Sequence, residues 1–256
     1  MPHGSDRLSC IAESISADGY HLEEAVIRDH SLLDALCSNL STAYSKQVGR
    51  EQEFYPGTVH FVPRHHSVFW DLLLAEEVTE VVDYVYGLDH ILHSYNGLVL
   101  EPGLQMIQHR PHRDGPHTAS QGPPAAFQVL VFLDDCIEST GATRVLPGSH
   151  RSPVASVDVE RFNREAVTVE GSKGSALFFD SALFHAAGDN RSDEPCHRLT
   201  MSYVRPNMSQ QFDFESLITF EEQKKLNYAL KSLLRIGQRT AKSIEEFYER
   251  AEKIYK

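Results

Sequence analysis

The sequence predicts a mainly β protein, a sandwich or jelly roll, with helices on either side. Between about residues 90 and 206, seven or eight short apolar runs alternate with turns rich in Gly, Pro, Asn and Asp, the pattern of many short antiparallel strands. Before and after that stretch, at about 29–87 and 220–255, apolar residues recur at helical spacing among charged ones. With 256 residues the chain is long enough to bury a full core, and a single domain spanning 1–256 is expected.

The chain opens polar, and Asp18-Gly19 reads as a turn into a short strand. From Asp29 to about Ser45, Leu32, Leu33, Leu36, Leu40 and Ala43 mark a core-facing helix. Residues 47–66 read as a loop with a short strand at Thr58–Val62. The neighbouring His65 and His66 do not suggest a shared metal, because adjacent side chains diverge in both strand and helix. Val68 to about Tyr86 reads as a second helix ending at Gly87. His90–Leu100 is a strand that Pro102-Gly103 turns into Leu104–His112, and residues 115–124 are loop by composition. Strands are then expected at Phe127–Leu133, Thr143–Leu146, Ala166–Val169, Ala176–Phe179, Leu183–Ala187 and Leu199–Val204. Phe220–Ile236 and Ala241–Tyr255 should be two terminal helices, suited to covering a sheet edge or to a homodimer contact.

Lys and Arg total 24 against 36 Asp and Glu, a net charge of −12, which argues against a general nucleic-acid binder. It leaves room for an anionic small molecule held by a single buried Arg. Cys10, Cys37, Cys136 and Cys196 are widely spaced without a C-x-x-C, fitting neither a disulfide framework nor a zinc knuckle. No apolar run reaches about 18 residues, so no membrane span is expected. The first residues lack the basic and apolar regions of a secretory signal, and a cytoplasmic location is the expectation.

The chemistry concentrates between Gln105 and Arg205. In a strand, residues two apart share a face, so His112 and Asp114 project together if they sit at one strand's end. His185, on a later strand, can close the triangle. Two His and one carboxylate on one face leave three coordination positions open, which suits Fe(II) that must bind a co-substrate and then dioxygen. An H-x-D alone is common. It gains weight from the strand-rich frame, from Arg198 thirteen positions after His185, and from Gly141-Ala142-Thr143 with Pro147-Gly148-Ser149-His150 between them. Two other classes stay open on these residues: a jelly-roll sensor or binding module without redox activity, and a cupin-type isomerase or hydrolase using Zn or Mn.

At these motifs the chain resembles the phytanoyl-CoA dioxygenase-like family of Fe(II)/2-oxoglutarate oxygenases. The likeness covers roughly residues 18 to 206 and includes His112-Arg113-Asp114, Leu133-Asp134-Asp135, Gly174-Ser175-Ala176-Leu177-Phe178-Phe179-Asp180, and His185 with Gly188, Asn190 and Arg198. It implies a double-stranded β-helix (jelly-roll, cupin-like) core with flanking helices. It implies Fe(II), 2-oxoglutarate and O2 as cofactor and co-substrates, with succinate and CO2 released as an unactivated C–H of a small organic substrate is hydroxylated. Secondary metabolites are among the candidate substrates. By position, His112, Asp114 and His185 hold the iron, and Arg198 pairs with the distal carboxylate of 2-oxoglutarate. Thr200 and Thr143 then reach the same co-substrate. Where family members often carry Gln three residues before the first ligand, this chain has His109, with Gln108 beside it. Asp114 stands where halogenating relatives have a small residue, so chlorination is not expected. His117, in the loop after the ligand pair, is a candidate substrate contact, while His150 and Trp70 read as structural.

Overall fold

The computed structural model describes residues 4–114, 124–154, 156–238, 241 and 243–255. They divide into two compact units, Met1–Gln210 and Gln211–Lys256. In the first unit the chain runs α1 (Gly4–Asp18), β1 (Tyr20–Glu23), α2 (His30–Ser45), α3 (Arg50–Phe54), β2 (Thr58–His60), α4 (Val68–Leu73), α5 (Glu76–Tyr86) and β3 (Ile91–Leu100). It continues through β4 (Ala126–Phe132), β5 (Thr143–Val145), α6 (Val159–Glu165), β6 (Val167–Val169), β7 (Ala176–Asp180), β8 (His185–Ala186) and β9 (Cys196–Val204). Among the described residues no helix is long and apolar enough to cross a membrane.

The strands form two antiparallel sheets, ordered β1-β7-β4-β9-β3-β2 and β6-β5-β8, the two walls of the expected jelly roll. Register fixes which side chains face inward. Phe132 and Leu98 flank Arg198 on β9, Leu130 lies opposite both Leu177 and Thr200, and Tyr20 lies opposite Phe179. These inward residues join Val145 and Val169 of the small sheet in one buried cluster, so the core sits between the walls. On the outer face, Phe69 packs edge-on to Tyr95, and Tyr86 stacks on Phe127. Helices thus cover the back of the large sheet, and all seven residues of β4 are buried. Gln128 tolerates this because its amide donates to Ser202 Oγ at 3.0 Å.

Local sequence explains most helix ends. Asp29 caps α2, its carboxylate accepting from the backbone N–H of Ser31 (2.9 Å) and Leu32 (3.1 Å). The single helix expected over 68–86 is two helices. The apolar stripe Phe69, Leu72, Leu73 would continue to 76 and 77, but those are Glu, and apolar residues resume at Val78, Val81 and Val82. Breaking at Leu74-Ala75 lets both segments bury their own stripe. Helix α1 falls where the sequence read only as polar. Its buried contacts are few, chiefly Ile11 and Ile15, and Arg7 anchors it by pairing with Glu23 on β1 and Glu80 on α5. The second unit holds α7 (Phe214–Leu217), α8 (Phe220–Lys225), α9 (Tyr228–Leu233) and α10 (Ile244–Tyr255). The helix expected over 220–236 is divided at Asn227, whose side chain accepts from Leu230 N (2.9 Å) and caps α9.

The turn into β7 is built on Gly174, at φ 87°, whose carbonyl accepts from Ile27 N at 2.9 Å and whose N–H donates to Phe132 O at 2.8 Å. A Cβ there would run into the Ile27 carbonyl oxygen. Left-handed strain and a backbone collision together should cost about 3 kcal/mol in Gly174→Ala. Urea unfolding of the two proteins checks this, and an unchanged midpoint would contradict it.

Candidate metal centre

The two imidazoles and the carboxylate singled out in the sequence come together. His112 and His185 exchange backbone hydrogen bonds, His112 N to His185 O at 2.9 Å and His185 N to His112 O at 3.0 Å, and Asp114 N donates to Ser181 O at 3.0 Å. His185 is also paired with Val145 through the β8–β5 ladder. The run from Leu104 to His112 is not the expected strand. It holds a single 3-10 turn at Ile107–His109, and His112 meets the sheet only by its bridge to His185. The alternation argument still works locally, because Asp114 lies two residues on from His112.

One ligand atom from each of His112, Asp114 and His185 lies within 4.8 Å of the others. Asp114 places Oδ1 3.3 Å from His112 Nε2 and Oδ2 3.4 Å from His185 Nε2. The far side of each ring is tied down, with His112 Nδ1 2.8 Å from Arg110 O and His185 Nδ1 3.1 Å from Leu183 O. A carbonyl only accepts, so both Nδ1 atoms carry a proton, and both Nε2 atoms face the carboxylate. That is the ring orientation a metal ligand needs, with Nε2 freed for an ion once any proton it shares with Asp114 is displaced. Burial, chiefly, pushes the His185 imidazolium towards its neutral form. Burial alone would raise the Asp114 carboxyl, but the two imidazoles against it, His112 through a hydrogen bond, outweigh burial and hold it below its ordinary range.

Arg198 lies deeper, on β9, with 1 % of its surface exposed. Its acceptors are Gly141 O (2.6 Å from Nη2), Thr143 Oγ1 (3.4 Å from Nη1), Cys136 Sγ (3.2 Å from Nε) and Cys196 Sγ (3.7 Å from Nη2). No carboxylate among the described residues pairs with it. Thr143 and Val145 lie two apart on β5, so the Arg198 contact and the His185 pairing are roughly 7 Å apart along one strand. His109 faces the same region, where burial and then the Arg198 charge push its imidazolium down. Its Nδ1 accepts from Met106 N at 3.2 Å, so the ring proton is on Nε2, which is buried and has no partner. Gln108 is turned elsewhere, donating to Thr58 Oγ1 at 3.2 Å. Thr200 is half-buried on the same inward row as Arg198. His117 lies outside the described residues. Sequence reasoning gave the cysteines neither a disulfide nor a zinc role. Cys196, two before Arg198 on a strand, was readable as its same-face neighbour, but nothing in the sequence pointed to Cys136.

Compared with known proteins, residues 16–198 match the family model described as phytanoyl-CoA dioxygenase. Protein Rv1501 of Mycobacterium tuberculosis is 27% identical, the match covering 96% of this chain and 93% of that protein. Dioxygenase trt7 of Aspergillus terreus is 31% identical over 56% of this chain and 47% of its own length. Among solved structures, the epimerase SnoN in complex with Fe3+, alpha ketoglutarate and nogalamycin RO superposes with a TM-score of 0.65 at 19% identity, covering 78% of this chain and 84% of that one.

A second donor set, Cys37, Asp134 and His197, lies on the outer side of β9. Asp134 Oδ2 accepts from His197 N (2.9 Å) and lies 2.7 Å from its Nδ1, while His197 Nε2 is 2.9 Å from Ser41 Oγ on α2. The Ser41 hydroxyl donates to Cys37 O at 3.0 Å, so it accepts from the ring. Both ring nitrogens therefore donate, which describes an imidazolium clamp between α2, β9 and the end of β4 rather than a metal site. Burial opposes the His197 charge, but the Asp134 bond, helped by Cys37, outweighs it and pushes the group up to about 10. Its contribution to stability is complete below its ordinary value of 6.5 and is lost as pH rises through about 10. Burial opposes the Asp134 charge too, but the His197 bonds lower its carboxyl below 3.8, so its contribution is lost only as pH falls through that lowered value. Asp134→Asn should cost about 2 kcal/mol near neutral pH, less than a fully buried pair because Asp134 is partly open to solvent. The deficit should shrink above pH 10. Urea unfolding across pH tests this, and a pH-independent deficit would contradict the ionic account.

Proposed function

This chain belongs to the phytanoyl-CoA dioxygenase family, and we propose that it is an Fe(II)- and 2-oxoglutarate-dependent oxygenase that hydroxylates an unactivated C–H of a small organic molecule. The observation that carries this reading is the buried Arg198 guanidinium, beside which no carboxylate lies among the described residues. A buried cation without a counter-ion is costly. An anionic ligand resolves that cost, and a short diacid is the right length to reach from Arg198 towards the two His and one Asp.

The residues fit both groups. His112, His185 and Asp114 form a borderline donor set of three, which leaves coordination positions of an iron for further ligands. The unpartnered Nε2–H of His109 and the guanidinium of Arg198 are the donors a carboxylate needs. In this reading Arg198 holds the distal carboxylate, Thr143 and Thr200 border it, and His109 donates to the co-substrate. Iron with 2-oxoglutarate and oxygen supplies the oxidising power when bound. The protein's part is placement. The Arg110 and Leu183 carbonyls fix the ring rotamers, and Phe179, whose ring lies 5.0 Å from that of His185 in a T-shaped contact, forms an apolar wall that excludes water. The likeness to an epimerase makes the fate of the substrate carbon a separate question, which incorporation of labelled oxygen into product decides.

Under anaerobic conditions, Fe(II) and 2-oxoglutarate together should give a weak visible charge-transfer absorption, whereas a Zn or Mn enzyme or a redox-silent sensor should give none. His112→Ala and His185→Ala should abolish that absorption and succinate release while circular dichroism stays native. Full coupled turnover in either variant would refute the ligand assignment. Arg198→Met should raise the 2-oxoglutarate requirement on the order of 100-fold, the scale of losing one charged partner of a buried pair. An unchanged requirement, measured by succinate release, would remove Arg198 from the site.

A further inference from the structure

Cys136 and Cys196 lie 60 positions apart in the chain, yet their sulfurs are 3.6 Å apart, within contact distance. Both are buried, at 0% and 1% exposure, in the cluster between the two sheets. Cys136 is fixed by backbone bonds to Gly171 in both directions (2.9 and 3.0 Å), and Cys196 begins β9 opposite Leu100. The pair also shares one cation, since Arg198 donates through Nε to Cys136 Sγ and through Nη2 to Cys196 Sγ. A guanidinium without a carboxylate favours the anionic form of a thiol beside it. The hydrogen bond from Cys136, and then the charge of Arg198, draw the Cys196 thiol below its ordinary range, while burial pushes Cys136 up. One sulfur is thus prepared as a nucleophile and its neighbour is kept protonated.

We propose that Cys136 and Cys196 form a redox-active dithiol, which hydrogen peroxide closes to an intrachain disulfide and which 2-oxoglutarate bound at Arg198 protects. The geometry of the sulfur pair does not depend on the function proposed above, whereas the route for peroxide and the protection rest on it. The Cys196 thiolate attacks one peroxide oxygen and the O–O bond breaks. Hydroxide leaves and takes up the proton the thiol had released, giving water and a sulfenic acid on Cys196. Cys136 then attacks that sulfur, the S–O bond breaks, and the hydroxyl departs with the Cys136 proton as a second water. The sulfur pair loses two electrons and peroxide gains them. The sulfurs close from 3.6 Å to about 2.05 Å. The path by which a diacid reaches Arg198 also admits peroxide, a much smaller molecule. A carboxylate on Arg198 blocks that path and neutralises the charge that stabilises the thiolate, so it slows the first step.

The test uses the full-length protein and a Cys10→Ser, Cys37→Ser version in which Cys136 and Cys196 are the two remaining thiols. Peroxide should remove both thiols without denaturant, peptide mapping should find the 136–196 cross-link, and dithiothreitol should restore the thiols. In Cys136→Ser, a sulfenic acid should persist on Cys196 and be trapped by dimedone. Saturating 2-oxoglutarate should slow cross-linking roughly tenfold or more. Thiols that react only after unfolding, or sulfinic acids without a cross-link, would overturn the proposal. A cross-link that forms equally fast with 2-oxoglutarate present would uphold the dithiol and overturn Arg198 as the co-substrate anchor.

Discussion

A positive charge sits at the bottom of the jelly roll, and much of the surrounding structure can be understood as accommodating it. Arg198 is buried between the sheets, and its acceptors among the described residues are neutral or weakly acidic. The strongest of these is the carbonyl of Gly141, at φ 83°, in a turn packed so closely on Gly188 and Asn190 that a side chain would strike their backbones. That crowding explains why glycine is needed there. It lets the turn deliver a carbonyl oxygen to the guanidinium. Outside the sheet, the His197–Asp134 pair holds the adjacent residue of β9 to α2 and to the end of β4. Arg198 is therefore restrained through its own backbone as well as by its contacts.

The half that carries His112, Asp114 and His185 is organised by β5. Thr143 touches the guanidinium, and Val145, two residues on, is paired with His185. One three-residue strand thus sets the spacing between the cation and the donor set. A short strand gives that precision because both its edges are occupied, by β6 on one side and β8 on the other. The chemistry proposed for the site needs an anion bridging these two stations, and β5 fixes their separation before any ligand arrives.

The sequence made the strands and the gathering of His112, Asp114 and His185 legible because each left a local signal. Alternation and turn residues marked the sheets, and a two-residue spacing put His112 and Asp114 on one side. What it hid depended on distance or on orientation. Helix α1 buries too narrow a stripe to show a period, and the break between α4 and α5 is visible only once the two Glu residues at 76 and 77 are seen to interrupt the apolar face. Asp134 reads as the end of a strand, and its bond to His197 bridges 63 positions. The choice between Gln108 and His109 turned on which side chain already had a partner, which is a property of the folded chain.

The bridge between His112 and His185 has one more consequence. The two stretches of backbone that carry the imidazoles are already hydrogen-bonded to each other, so their chain entropy is lost in folding and not in taking up a metal. A small zinc domain typically folds only around its ion. An ion held by these side chains would meet backbone that is already paired, so conformational ordering would take little from its affinity.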